Sequence, residues 1–353
     1  MIRADVHAAI ERVLDRQVFI IGPETEAFEH EFAAFCGATD GVAVSSGTAA
    51  LELVLWSLGI GPGDEVITTP WTFWATAEAV LRVGATPVFV DVREDDWTLD
   101  SARVAEAVTP RTKAILPVHI FGHPADVPAL AASAPVIEDA AQAHGASYHG
   151  RAIGTDAVAA TYSFYPGKNL GAYGDAGAVT SNDTGLTELL RELRDHGRST
   201  KYAHRLAATN ARSSELQCAV LRVKLAHLTA WTRERQRLAG VYEERLEGLG
   251  LGWQLTQPWA EHVRHLFVVT HPDRDRLRAE LAETGIDCGI HYPIPLHRQP
   301  GLAGRDWRAV GDLTRSERLA GEVLSLPLFP ELGEEGVERV CAALERALAA
   351  VAR

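Results

Sequence analysis

The chain has 353 residues, enough for one large domain or two unequal ones around a sizeable core. Its composition, 46% hydrophobic and 23% charged, is that of a globular protein and argues against disorder. Acidic residues outnumber basic ones by 47 to 34, a formal charge of −13, which disfavours a nucleic-acid binder but leaves room for an anionic small molecule held by a few local groups.

In chain order, Met1 to His7 lack the basic-then-apolar pattern of a secretory signal, so a cytoplasmic location is expected. Between about residues 40 and 200, short β-rich runs alternate with helical segments. Gly41 to Ser45 reads as a strand and Thr48 to Leu58 as a helix with Leu51, Leu55 and Leu58 apolar. Glu65 to Thr68 is a strand and Phe73 to Val83 a helix; Thr86 to Val90 is a strand and Ala102 to Val108 a short helix capped by Asp100 or Ser101. Lys113 to Val118 and Pro135 to Ile137 read as two further buried strands. Such alternation predicts an α/β fold around a mostly parallel sheet, which binds ligands at the carboxyl ends of its strands.

Beyond residue 212 the character changes. Ser213 to Leu228 and Trp231 to Leu249 read as two long helices, followed by a strand at Leu266 to Thr270, a helix at Asp273 to Thr284 and a last helix at Gly333 to Val351. A boundary near residue 240 then separates a large domain, 1–240, from a smaller C-terminal α+β domain, 241–353. No apolar run reaches a bilayer span, so no membrane partner is expected. The cysteines, Cys36, Cys218, Cys288 and Cys341, show no metal-ligand or CxxC spacing and read as buried reduced thiols, with no metal site.

Four segments could carry chemistry. The chain has only four lysines, Lys113, Lys168, Lys201 and Lys224, and one of them is flanked by Gly and Pro in a loop after a strand: Ser163-Phe164-Tyr165-Pro166-Gly167-Lys168-Asn169-Leu170-Gly171. Glycines there allow close backbone approach, and a desolvated lysine amine loses its proton readily and can form a Schiff base. A surface lysine is the plainer alternative. Next, the apolar run Val136-Ile137 delivers Glu138-Asp139-Ala140-Ala141-Gln142-Ala143-His144-Gly145, placing Asp139 just past a strand end. An aspartate so placed can pair with the ring nitrogen of pyridoxal phosphate, and Gln142 can reach the ring hydroxyl, although Asp139 would serve equally as a helix cap. Third, Ser45-Ser46-Gly47-Thr48 ends a strand and opens a helix, a place where free N–H groups favour phosphate. Last, Trp71, Phe73 and Trp74 could stack on a flat ring or pack in the core.

In this order the four segments resemble the sugar aminotransferases of the DegT/DnrJ/EryC1/StrS family, over nearly the whole chain from about residue 18. The resemblance implies fold type I architecture and a pyridoxal 5'-phosphate cofactor. It implies Lys168 as Schiff-base lysine and proton carrier, Asp139 as partner of the pyridine nitrogen and Gln142 as partner of the ring oxygen. Phe73 matches the stacking aromatic, with Trp71 a nearby rival, and Gly47, Thr48 and Ser163 resemble the phosphate cradle. Asn210-Ala211-Arg212-Ser213-Ser214-Glu215-Leu216-Gln217 looks like a segment whose asparagine reaches the neighbouring subunit's phosphate, implying a homodimer with Asn210 shared across the interface. The family-like His291-Tyr292-Pro293-Ile294-Pro295-Leu296-His297 is expected near the active-site mouth.

The activity so implied moves an amino group from glutamate or glutamine onto a nucleotide-linked keto-sugar, in aminosugar and antibiotic biosynthesis. Gly171-Ala172-Tyr173-Gly174-Asp175-Ala176-Gly177 resembles members acting at C3, whereas those acting at C4 more often show Thr-x-x-Glu-Gly-Gly. A 3-keto sugar is therefore favoured and a 4-keto sugar comes next. A cyclitol (inosose) substrate, to which Trp71 and Trp74 point, and a non-catalytic regulatory protein on the same fold are the alternatives. A dehydratase branch with histidine in place of the lysine conflicts with Lys168.

Overall fold

The computed structural model describes residues 2–351, so the extreme ends of the two expected domains lie outside it. The larger part of the chain runs α1 (Arg3–Arg16), α2 (Pro23–Phe35), β1 (Asp40–Val44), α3 (Gly47–Ser57), β2 (Glu65–Thr68), α4 (Ala75–Arg82), β3 (Thr86–Val90), α5 (Ser101–Ala107), β4 (Thr112–Leu116), α6 (Val127–Ala131), β5 (Ile137–Asp139), β6 (Ala159–Ser163), β7 (Gly177–Ser181) and α7 (Thr184–Leu193). The remainder runs α8 (Glu215–Leu246), β8 (Gly252–Trp253), β9 (Phe267–Thr270), α9 (Arg274–Glu283), β10 (Arg308–Val310), α10 (Thr314–Glu322), β11 (Val323–Leu326) and α11 (Gly333–Val351).

Two four-stranded ladders, β1-β7-β6-β5 and β10-β3-β2-β4, meet edge to edge. Ile115 N–H donates to the Pro135 carbonyl at 2.8 Å, and Asp139 N–H donates to the Pro117 carbonyl at 2.9 Å, joining β4 to β5 in parallel. The result is one twisted sheet in which β7 is the antiparallel member, paired against both β1 and β6. This is the mostly parallel sheet that the alternation predicts.

Both faces are covered, and alternation along the strands shows how. Val42 and Val44 of β1 face the cluster built with Leu51, Leu53 and Leu55 of α3, while Ala43 faces the cluster of Phe28, Phe32, Cys218 and Leu221 on the opposite side. Every residue of β2 is buried, as expected of a strand enclosed on both faces.

Most boundaries shift from the sequence reading by one or two residues, and three differences matter here. The two long helices expected at 213–228 and 231–249 are one helix of 32 residues, because neither proline nor glycine interrupts Thr229-Ala230-Trp231, and His227 stacks on Trp231 one turn later at 5.6 Å. Strand β5 lies two residues later than expected, so Asp139 is its last residue rather than the second one beyond it. Helix α4 begins at Ala75, which leaves Phe73 in the preceding loop.

Within α8 the packing changes partners: Cys218, Leu221 and Leu228 belong to the core of the main sheet, whereas Leu238, Tyr242 and Leu246 belong to a separate core with β9, β11, α9 and α11. The C-terminal segment is not confined to that second core, since β10 pairs in parallel with β3 at the edge of the main sheet.

Candidate active site

The ends of β1, β2, β5 and β6 open on a cavity of about 620 Å³, lined among others by Gly47, Thr48, Phe73, Asp139, Gln142, Ser163 and Lys168. Seven of the eight residues singled out from the sequence thus meet in one space. Asn210 is the eighth. It is exposed, accepts a hydrogen bond from Arg212 Nε at 3.0 Å, and does not line the cavity of its own chain.

Lys168 reaches the cavity from a tight loop. Its N–H donates to the Tyr165 carbonyl at 2.8 Å, and a side chain at Gly171 would collide with the Pro166 carbonyl, so the glycine is needed for the turn. Burial pushes the Lys168 amine down to about 8, with the charge of Asp139 pulling the other way. Among the described residues, Nζ has no hydrogen-bond partner. A lysine so placed is partly in its neutral, nucleophilic form near neutral pH.

Asp139 is buried at the end of β5 and held from two sides. Thr76 Oγ1 donates to Oδ2 at 2.8 Å, and Ala141 N–H donates to Oδ1 at 3.2 Å. Burial pushes the Asp139 carboxyl up; the Thr76 and Ala141 hydrogen bonds and the charge of Lys168 pull it down. A cation brought against it would favour its ionised form. Gln142 is fixed by two bonds: Oε1 accepts from Phe121 N–H at 2.5 Å, and Nε2 donates to Tyr292 OH at 2.9 Å. One Nε2 proton remains for a ligand oxygen.

Opposite them, the start of α3 is open. Ser46 caps it by accepting from Ala49 N–H at 3.1 Å, so the preceding N–H groups of Gly47 and Thr48 are left for an anion. A side chain at Gly47 would bring its Cβ within 2.7 Å of Ser163 Cβ, closing the gap between the helix start and β6. The glycine therefore keeps open a pocket of amides and hydroxyls fit for a phosphate. Phe73 is 56% exposed and overlooks the same space beside Tyr292, whose ring lies 5.9 Å away.

Trp71, the rival to Phe73, is fully buried against Trp97 and Phe121 and does not line the cavity. Trp74 does not line it either, which removes the feature that pointed to a cyclitol. In the segment expected at the mouth, His291 and Tyr292 do line the cavity, whereas His297 turns away to Glu317 at 3.0 Å. Thr76, Tyr292 and His265 had no assigned role from the sequence. Thr76 and His265 carry no motif signal; Tyr292 is marked only by its place in the His-Tyr-Pro segment.

An amine that loses its proton easily, a carboxylate suited to a ring cation and a phosphate cradle share one cavity at the strand ends of an α/β sheet. Those features define a fold type I pyridoxal-phosphate-dependent enzyme. The model of the DegT/DnrJ/EryC1/StrS aminotransferase family matches residues 1–345, and the chain belongs to that family. It is 50% identical, over 96% of its length and 91% of the relative's, to the dTDP-3-amino-3,4,6-trideoxy-alpha-D-glucose transaminase of Streptomyces venezuelae. It is 44% identical, over 98% and 95% of the two chains, to the UDP-N-acetyl-3-dehydro-alpha-D-glucosamine 3-aminotransferase of Acidithiobacillus ferrooxidans. Among solved structures it resembles that of S. venezuelae DesV in complex with a ketimine intermediate, with TM-score 0.95, 49% identity and coverage of 98% and 95%.

Proposed function

We propose that the protein aminates C3 of a nucleotide-linked 3-keto sugar, with an amino acid such as glutamate or glutamine as donor. The reaction class, transamination of a nucleotide-linked keto-sugar by a pyridoxal-phosphate enzyme, follows from the family and its relatives. Preference for C3 is supported by the two relatives above, one named for a 3-amino sugar and the other for amination of a 3-dehydro sugar, and by the Gly171 to Gly177 stretch.

The observation that carries the reading is the joint placement of Lys168 and Asp139 in one cavity facing the open start of α3. Lys168 would hold the cofactor aldehyde, Asp139 its ring nitrogen, Gln142 its ring oxygen and Gly47, Thr48 and Ser163 its phosphate, with Phe73 over its ring. When bound, the cofactor supplies an electron sink and a temporary carrier for the amino group. Thr76 and Ala141 hold the Asp139 carboxylate in place. Once free, Lys168 Nζ would serve as the base toward the donor carbon and as the holder of that proton, a task suited to a group near neutrality. Toward the keto-sugar the same Nζ would carry the proton in the opposite sense, to the sugar carbon.

The protein is proposed to act as a homodimer in which Asn210 of each chain completes the partner's phosphate site, and to work in the cytoplasm. Asn210's exposure away from its own cavity supports this. We divide the chain near residue 240, within the stretch of α8 where the packing changes partners. The substrate assignment is tested in reverse: with 2-oxoglutarate, dTDP- and UDP-linked 3-amino sugars should be deaminated, and 4-amino isomers should not. Turnover confined to 4-amino sugars would refute the C3 assignment.

A further inference from the structure

His265 stands at the cavity wall without a role in the account above. Its backbone is pinned: its N–H donates to the Phe121 carbonyl at 2.8 Å and its carbonyl accepts from Arg235 Nη1 at 3.4 Å. Its ring is pinned too. Asn169, the neighbour of Lys168, donates from Nδ2 to the Val263 carbonyl at 3.1 Å, which turns its Oδ1 toward His265 Nδ1, 3.1 Å away. An amide oxygen only accepts, so Nδ1 must carry the proton. Burial holds the His265 imidazole well below its usual range, and the charges of Lys168 and Arg235 and the nearby His144 and His291 act in the same direction. The ring is therefore neutral and Nε2 is a bare acceptor. Nε2 is not among the enclosed polar atoms lacking a partner, and the space that His265 borders is the cavity.

We propose that His265 is a positioning residue for the Lys168 amine, its bare Nε2 accepting a hydrogen bond from Nζ when the amine has been released and the cofactor remains in the site in its pyridoxamine phosphate form. The inference rests on the reading of Lys168 as the cofactor-carrying amine. Asp139 already serves Thr76 and Ala141, so a neutral acceptor gives Nζ a direction without adding a second negative charge beside it. Because a hydrogen bond to the charged form favours that form, the acceptor also keeps the amine from losing its proton too early. Asn169 thereby sets, through the tautomer of His265, the direction in which the adjacent lysine points.

The test uses the full-length enzyme in its pyridoxamine phosphate form, with lysines labelled by carbon-13 at Cε. Four lysines give four signals, and Lys168→Ala identifies one. His265→Asn retains a donor near Nδ1 but nothing at Nε2; His265→Gln returns an amide oxygen close to the Nε2 position. In His265→Asn the Lys168 titration should fall by about one unit and kcat by about tenfold at little-changed KM, both recovering in part in His265→Gln. A Lys168 titration unmoved by His265→Asn, whatever happens to kcat, would reduce His265 to packing and overturn the proposal. Borohydride labelling of wild-type enzyme at another lysine would instead overturn the lysine assignment itself, and this proposal with it.

Discussion

Lys168→Ala should abolish transamination, a loss of at least ~10²–10⁴-fold, while circular dichroism and cofactor-free melting stay close to wild type. Asp139→Asn should lower kcat by at least about 100-fold, since an amide cannot balance a ring cation, yet inorganic phosphate should still bind at α3. With the Lys168 amine pushed down to about 8, its neutral fraction grows as pH rises through that value. Cofactor uptake by cofactor-free protein should therefore accelerate from pH 7 to pH 9 and level off above; a rate flat across this range would contradict a depressed amine. The lysine was legible because lysines are scarce in this chain and this one is framed by glycines. Asp139 was legible as a carboxylate delivered by an apolar run. Phe73 could not be separated from Trp71 by sequence, because only the fold shows that Trp71 turns into the core against Trp97 and Phe121. Thr76 meets Asp139 across 63 residues of chain and His265 meets Asn169 across 96, and no local pattern announces such contacts.

Strands enclosed on both faces carry short apolar runs, Val66-Ile67 in β2 and Val88-Phe89-Val90 in β3, and both strands fall where the sequence placed them. Helix ends without a strong breaker do not, and the long α8 was split in reading although nothing in it stops a helix. The register of β5 was missed for another reason. Pro135 contributes only its carbonyl to the β4 edge, and the ladder proper begins at Ile137. The close approach of β7 to the start of α3 gives a prediction at this scale. A side chain at Gly177 would collide with the Ser46 backbone, so Gly177→Ala should cost about 1–3 kcal/mol of stability in denaturant melts and loosen the phosphate cradle. A variant as stable as wild type, with unchanged cofactor affinity, would show that the cradle is less tightly built than described.

Among the described residues no helix is long and apolar enough to cross a membrane. The alternation of strands and helices gave the α/β class and the acidic charge balance argued against a nucleic-acid binder, whereas the dimer was implied only by the resemblance around Asn210. If Asn210 serves the neighbouring cavity, mixing inactive Lys168→Ala with weakened Asn210→Ala should restore activity. Each mixed dimer then holds one site carrying both lesions and one carrying neither, so an equal mixture should regain about a quarter of wild-type activity. No recovery in confirmed mixed dimers would mean that each chain completes its own site.

The central claim, that Lys168 is the amine bonded to the cofactor, is most directly tested by borohydride reduction of the yellow enzyme followed by peptide mapping. The account predicts a single pyridoxyl label on the peptide carrying Pro166-Gly167-Lys168-Asn169 and disappearance of the visible absorbance band. Label on Lys113, Lys201 or Lys224, or none on any lysine, would contradict it.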